Sequence, residues 1–260
     1  MQRQRLGALV FTVLLSVLSS VPSPPQTALA AEVKTHRAVT PQKKGEPWWV
    51  ARHAKHVSQM KQGGVDLLMI GDSITHLWEN TEGTIFRSYA HGANVWGKYY
   101  GSRRAMNLGF AGDRTENVLW RLDNLPLDKI SPKAAVLMIG TNNVNRLSST
   151  PRQTAEGVQA IVRKLRKTYP EMKILVLHVF PRGPDSENGK RKRVYELNSY
   201  LPELVGKEKN VTLLDIGDKF LNEKGMISKS IMPDFLHPNE NGYEIWAKAM
   251  EPTVKKLLGE

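Results

Sequence analysis

Five short apolar stretches, each separated from the next by a segment of helical length, constrain this chain more than any other feature. They cover residues 65–70, 104–108, 134–139, 173–179 and 211–215. In the first, Asp66 is the only polar side chain, and Ala134-Ala135-Val136-Leu137-Met138-Ile139 has none. A strand with one wet face alternates apolar and polar residues. One that does not alternate is buried on both faces, as in a parallel sheet covered by helices. The intervening segments repeat apolar residues at helical spacing: 116–122 stacks Val118, Leu119 and Leu122, and 154–169 stacks Val158, Ile161, Val162 and Leu165. Helices are also predicted over 51–62, where Trp48 and Trp49 pack two indoles at its start, over 190–205 and over 240–258. This alternation predicts an α/β fold, a five-stranded parallel sheet with helices on both faces. A chain of 260 residues is enough for one such domain with a sizeable core.

Connections leave a parallel sheet at its carboxyl edge, where open α/β folds bind their ligands. Gly71-Asp72-Ser73-Ile74-Thr75 follows the first strand, Gly109-Phe110-Ala111-Gly112-Asp113-Arg114-Thr115 the second, and Gly140-Thr141-Asn142-Asn143 the third. A fourth cluster, Asp234-Phe235-Leu236-His237-Pro238, precedes the last helix. Each has an ordinary explanation. Asp72 and Ser73 are residue types that cap helices, Asn-Asn after a strand is turn chemistry, and Asp-x-x-His before a helix is a cap beside a surface histidine. Four such clusters in order, three of them at strand ends, are harder to explain one at a time.

Taken together they form a chemical set. Ester hydrolysis requires a nucleophile, a base to take its proton, and donors for the oxyanion. Ser73 is the candidate nucleophile and His237 the candidate base. Asp234, three residues earlier on the same turn, can hold the other ring nitrogen and stabilise the imidazolium. The backbone N–H groups of Ser73 and Gly112 and the side-chain amide of Asn142 are the candidate oxyanion donors.

These stretches resemble the SGNH (GDSL-type) hydrolases, and in particular the branch similar to the catalytic subunits of intracellular platelet-activating-factor acetylhydrolase. The resemblance also takes in Asn107-Leu108 and Asn117-Val118-Leu119-Trp120-Arg121-Leu122, and spans nearly the whole chain after residue 30. It implies a flavodoxin-like three-layer α/β/α fold, ester hydrolysis through an acyl-serine with neither metal nor cofactor, and the residue roles given above. Ile74 stands where the family's name-giving motif has Leu, a conservative departure. No Gly-x-Ser-x-Gly surrounds Ser73, which argues against the nucleophile elbow of the α/β-hydrolases. Ile74, Thr141 and Leu236 match positions that crowd the acyl site in the acetylhydrolase branch, so the resemblance implies acetyl or other short acyl groups. The alcohol half is open between an O-acetylated carbohydrate and a lipid-like molecule. Transfer of acetyl to a glycan hydroxyl instead of water would use the same residues, whereas a non-catalytic glycan-binding module would need a broken set, and none of this set is broken.

The ends of the chain carry different information. Arg3 and Arg5, an apolar run over 6–21, and Ala28-Leu29-Ala30 form an export signal over 1–30, expected to be cleaved after Ala30. The run is short for a membrane anchor, so the mature protein is expected in the periplasm or outside the cell, without a membrane span. Cleavage lowers the formal net charge from +12 to +10. Residues 31–47, with Pro41, Lys43-Lys44, Gly45 and Pro47, read as an exposed arm leading into a domain over 48–260. There is no cysteine, so no disulfide can form. Lys190-Arg191-Lys192-Arg193, at a helix start, reads as a solvated face rather than a polyanion site. The basic charge carries none of the aromatic interleaving that nucleic-acid binding uses. His53 and His56 lie one helical turn apart without a third ligand, which reads as a surface helix face rather than a metal site. Residues 79–104, with Phe86, Tyr89, Trp96, Tyr99 and Tyr100, are expected to lie near the crevice mouth as helix and loop.

Overall fold

The computed structural model describes residues 35–79, 92–145 and 148–260, and Thr35–Glu260 forms one compact unit. The export signal expected over 1–30, and Phe86 and Tyr89, lie outside the described residues. The predicted strands are β1 (Leu67–Gly71), β2 (Ala105–Gly109), β3 (Ala134–Met138), β4 (Lys173–Leu177) and β5 (Val211–Leu214). All are parallel, in the order β2-β1-β3-β4-β5. The helices are α1 (Pro47–Lys61), α2 (Ser73–His76), α3 (Ala93–Tyr100), α4 (Thr115–Asp123), α5 (Thr141–Asn145), α6 (Pro151–Thr168), α7 (Gly189–Leu204) and α8 (Glu240–Leu258). This is a flavodoxin-like three-layer fold. The chain leaves β1 for β2 on one side and returns to β3 on the other, so a crevice opens beyond the carboxyl ends of β1 and β3.

The lack of alternation in β1 has a direct cause. Leu67 and Met69 join a core with Tyr100 of α3 and Tyr243, Trp246 and Met250 of α8. Leu68 and Ile70 join the other core, with Val118 of α4, Ile161 of α6 and Leu197 of α7. Successive residues point to opposite faces, and both faces are covered. Helix α6 starts at Pro151, not at 154 as its apolar period indicated. Gln153 N–H donates to Thr150 Oγ1 at 3.1 Å and Thr150 N–H to Gln153 Oε1 at 3.0 Å, a reciprocal cap with proline at the first helical position. No helix among the described residues is long and apolar enough to cross a membrane.

Three expectations change. The described part of the arm, from Thr35 on, is mostly exposed as expected, but it is laid against α4 and α6 on its way into the domain. Arg37–Val39 makes a 3-10 turn with Ala38 wholly buried. Thr115 Oγ1 donates to Ala38 O at 2.8 Å, Gln42 N–H to Glu116 O at 2.9 Å and Asn117 Nδ2 to Gln42 O at 2.9 Å. Gly157 of α6 makes the close approach possible, because a Cβ there would lie 2.7 Å from Ala38 O. The histidines of α1 are not on a surface face either. His56 is buried against Phe110, and burial, followed by the charges of Arg52 and Arg121, pushes its ring down to about 2, so it is neutral. His53 packs between Trp49 and Trp120.

The third change is within the basic run. Lys190 and Lys192 are exposed, but Arg191 is wholly buried. Its guanidinium donates to Arg182 O at 3.0 Å, to Gly225 O at 2.6 Å and to Gly183 O. Three backbone carbonyls from two loops give the charge a solvation shell made of protein. Arg191→Met strands those acceptors, and we expect a loss on the order of 3 kcal/mol in urea unfolding. Lys192→Met, beside it on the exposed face, is expected to change stability by less than about 0.5 kcal/mol.

Candidate active site

β1 ends in Gly71, where a Cβ would meet Thr75 Oγ1 at 2.1 Å and Met138 O at 2.6 Å. Only glycine lets the single turn of α2 fold back so closely over the strand end. Asp72 caps that turn by accepting Ile74 N–H at 3.0 Å, and Tyr243 of α8 donates its hydroxyl to Ile74 O at 2.7 Å. The ordinary capping explanation therefore holds for Asp72. It does not hold for Ser73, whose Oγ lies 2.9 Å from His237 Nε2.

His237 is held by its own turn. Its Nδ1 lies 2.6 Å from Asp234 Oδ2, while Asp234 Oδ1 accepts the N–H groups of Leu236 at 3.0 Å and of His237 at 2.8 Å. Burial pushes the Asp234 carboxyl up, but the hydrogen bonds from the His237 ring and from these two N–H groups outweigh it and hold the carboxyl below its usual range. An ionised carboxylate only accepts, so Nδ1 carries the ring proton and Nε2 is left to accept from Ser73. Phe235, between the two, has φ +59°, a left-handed conformation costing about 1 kcal/mol for such a side chain. It is held by Phe235 N–H on Met232 O and by Gly183 N–H on Phe235 O, both at 2.9 Å.

Gly112 has φ +70°, the left-handed region that favours glycine. Asn142 Nδ2 donates to Asp113 O at 3.0 Å, which occupies one amide proton and leaves the second. Ser73, Gly112, Asn142, Leu236 and His237 line one cavity of about 510 Å³. The docked amino-terminal segment and the start of α1 also line it, through Arg37, Gln42, Lys44, Glu46 and Trp48. Of the three positions expected to flank an acyl group, Leu236 lines this cavity and the other two do not. Ile74 is buried in the core beneath α8, and Thr141, equally buried, accepts from Arg182 Nη1 at 2.9 Å through its hydroxyl.

Several residues that shape the site had no role in the sequence reading. Asp113 is wholly buried and accepts from Trp49 Nε1 at 2.7 Å and Arg121 Nε at 2.9 Å. The Arg121 guanidinium also lies 4.0 Å from the centre of the Phe110 ring. Asn143 Oδ1 accepts Thr115 N–H at 3.1 Å, and its Nδ2 donates to Glu116 Oε2 at 3.0 Å. Asn143 thus ties the end of β3 to the start of α4 and holds Asn142 beside Gly112. Its sequence signal was its place next to Asn142; that of Asp113 was its place in the small-residue stretch after β2.

The model of the GDSL-like lipase/acylhydrolase family matches residues 69–245. The chain belongs to this family. A relative within it, platelet-activating factor acetylhydrolase IB subunit alpha2 of Homo sapiens, is 34% identical over 216 residues, covering 83% of this chain and 87% of that protein. Among solved structures, a GDSL-like lipase from Bacteroides thetaiotaomicron superposes with a TM-score of 0.61 at 15% identity, over 79% of this chain and 97% of that one. An acetylxylan esterase from Geobacillus stearothermophilus gives 0.57 at 18% identity, over 76% and 95%. These two likenesses show the shared fold. As a GDSL-type acylhydrolase the protein is an ester-hydrolysing enzyme.

The acid of the GDSL-type motif, Asp72, is almost inaccessible. Burial pushes its carboxyl up to about 7, against the Ile74 N–H bond and the charges of His237 and Arg182. The folded state therefore holds this proton more tightly than the unfolded chain, whose carboxyl titrates near about 3.9. The resulting stabilisation is complete below that value and is lost as pH rises through about 7. Asp72→Asn keeps an acceptor for Ile74 N–H and removes the titration. Its urea midpoint should gain on wild type between pH 5 and pH 9; a constant difference across that range would contradict the assignment.

Proposed function

We propose that this protein is a serine esterase that removes acetyl and similarly short acyl groups from a polar alcohol by way of an acyl-serine. The observation that carries the reading is the unbroken chain from Ser73 Oγ to His237 Nε2 at 2.9 Å and from His237 Nδ1 to Asp234 Oδ2 at 2.6 Å, opening on the cavity. In the first step His237 Nε2 takes the Ser73 proton as Oγ bonds to the ester carbonyl carbon. The carbonyl π pair moves onto oxygen, where Ser73 N–H, Gly112 N–H and the second Asn142 proton are the proposed donors. When the tetrahedral centre collapses, the bond to the alcohol oxygen breaks and His237 returns the proton to it. Water then repeats the sequence on the acyl-serine, releasing the acid and restoring Ser73. Asp234 keeps the ring oriented and offsets its charge while it is an imidazolium.

The short acyl preference is supported by the acetylhydrolase relatives. Leu236 is the residue proposed to meet the acyl group. A polar alcohol is supported by Arg37, Gln42 and Asn117, which line the same cavity as Ser73, with Trp48. The amino-terminal sequence supports a site of action beyond the cytoplasmic membrane.

The test is a panel of acetyl esters (aryl, xylo-oligosaccharide, glycerolipid) and a palmitoyl aryl ester, assayed with wild type, Ser73→Ala and Asn142→Ala. Wild type is expected to prefer acetyl over palmitoyl, and Ser73→Ala to lose nearly all turnover. Asn142→Ala, which removes one oxyanion donor, is expected to lose about 10²–10³ in kcat. Near-normal turnover by Ser73→Ala would refute the nucleophile assignment.

A further inference from the structure

We propose that Lys44, in the docked amino-terminal segment, is a positioning residue for the oxyanion hole and acts through the Ala111–Gly112 peptide. This rests on the reading of Gly112 N–H as an oxyanion donor. Lys44 Nζ donates to Ala111 O at 3.3 Å. Its carboxylate neighbours are more distant, Asp113 Oδ1 at 3.7 Å and Glu46 Oε1 at 4.0 Å. Asp113 already has Trp49 and Arg121 as close donors, so the lysine is not needed to satisfy it.

The position of the ammonium relative to the peptide gives it a function. Ala111 C=O and Gly112 N–H belong to one planar unit and, in a trans peptide, point to opposite sides. A cation on the carbonyl oxygen withdraws electron density through the amide and makes the N–H on the far side a stronger donor. Gly112 serves the arrangement twice. Its φ of +70° suits glycine, and a Cβ there would lie 3.1 Å from Lys44 Nζ, in the path of the ammonium.

Both partners are held in place. The backbone of Gln42, two residues before Lys44, is hydrogen-bonded at its N–H to Glu116 O and at its carbonyl by Asn117 Nδ2. Ala111 N–H donates to His76 Nδ1 at 3.2 Å, which fixes the preceding peptide. Residues ahead of the first strand are thereby made part of the catalytic apparatus.

The experiment measures kcat and KM on 4-nitrophenyl acetate, with thermal midpoints, for wild type, Lys44→Met, Lys44→Gln, Lys44→Arg and Ser73→Ala. Acylation and deacylation both use the oxyanion donors, so kcat responds whichever step limits. Lys44→Met and Lys44→Gln are each expected to lose about tenfold in kcat with KM moving less than about twofold. Lys44→Arg, which can still place a cation on Ala111 O, is expected to keep most of the wild-type kcat. Two uncharged variants are used so that misfolding of one does not decide the matter. Unchanged kcat in a folded uncharged variant overturns the proposal, as does a rise in KM alone, which would mean that Lys44 meets substrate. Failure of arginine to do better than methionine at equal thermal midpoints overturns it as well. An active Ser73→Ala removes the underlying esterase reading and the proposal with it, whereas an inert Ser73→Ala beside unaffected Lys44 variants removes the proposal alone.

Discussion

The contact between Ser73 Oγ and His237 Nε2 joins groups 164 positions apart in the chain, and it sets conditions on everything around it. A displacement of one ångström in such a pair can cost about 10² in rate, so both ends must be held by more than their own turns. At the serine end, Tyr243 of α8 grips the carbonyl of Ile74, and Asn107 Nδ2 donates to the carbonyls of Thr75 and His76, which also accept the backbone N–H groups of Trp78 and Glu79. At the histidine end, Gly183 N–H holds the strained Phe235, and Arg191 holds the carbonyls of Arg182 and Gly183. Asn239, which caps α8, donates its N–H to Ile231 O. One helix, α8, is therefore tied to both halves of the pair.

The remaining donors are organised in the same way. Asn142, in the turn after β3, bonds the carbonyl of Asp113 in the loop after β2, and Asn143 beside it bonds Thr115 and Glu116 of α4. The amino-terminal segment closes the outer side of this network through Arg37 Nε on Glu116 Oε1 at 3.0 Å and Lys44 on Ala111 O. Buried carboxylates are costly unless fully paired, and here Asp113 and Glu116 each accept from more than one donor. Three strand ends and the segment outside them behave as a single hydrogen-bonded body.

Much of this was legible in the residues because the physics that forms the sheet is local. Strands buried on both faces read as unbroken apolar runs, and the last helix runs over 240–258 as predicted. The four polar clusters could be gathered into one site because a parallel sheet brings its strand ends together. The docked segment was not legible, since it is held by backbone carbonyls and polar side chains and has no apolar period; its one trace elsewhere is Gly157, in the middle of an amphipathic helix. Arg191 looked like its basic neighbours, and the loop carbonyls that bury it, at 182, 183 and 225, are not visible in a helical pattern. Ile74 and Thr141 adjoin functional positions in sequence, but successive residues of a helix point about 100° apart, and both turn into the core instead of the cavity.

The central claim is that the hydroxyl at the end of β1 takes the acyl group from the ester. Mixing the enzyme with excess acetyl ester, quenching in acid within a turnover and mapping the peptides by mass spectrometry tests it directly. One added acetyl group is expected on Ser73, disappearing as substrate is exhausted. An acetyl group accumulating on another side chain, with Ser73 unmodified throughout turnover, would contradict it.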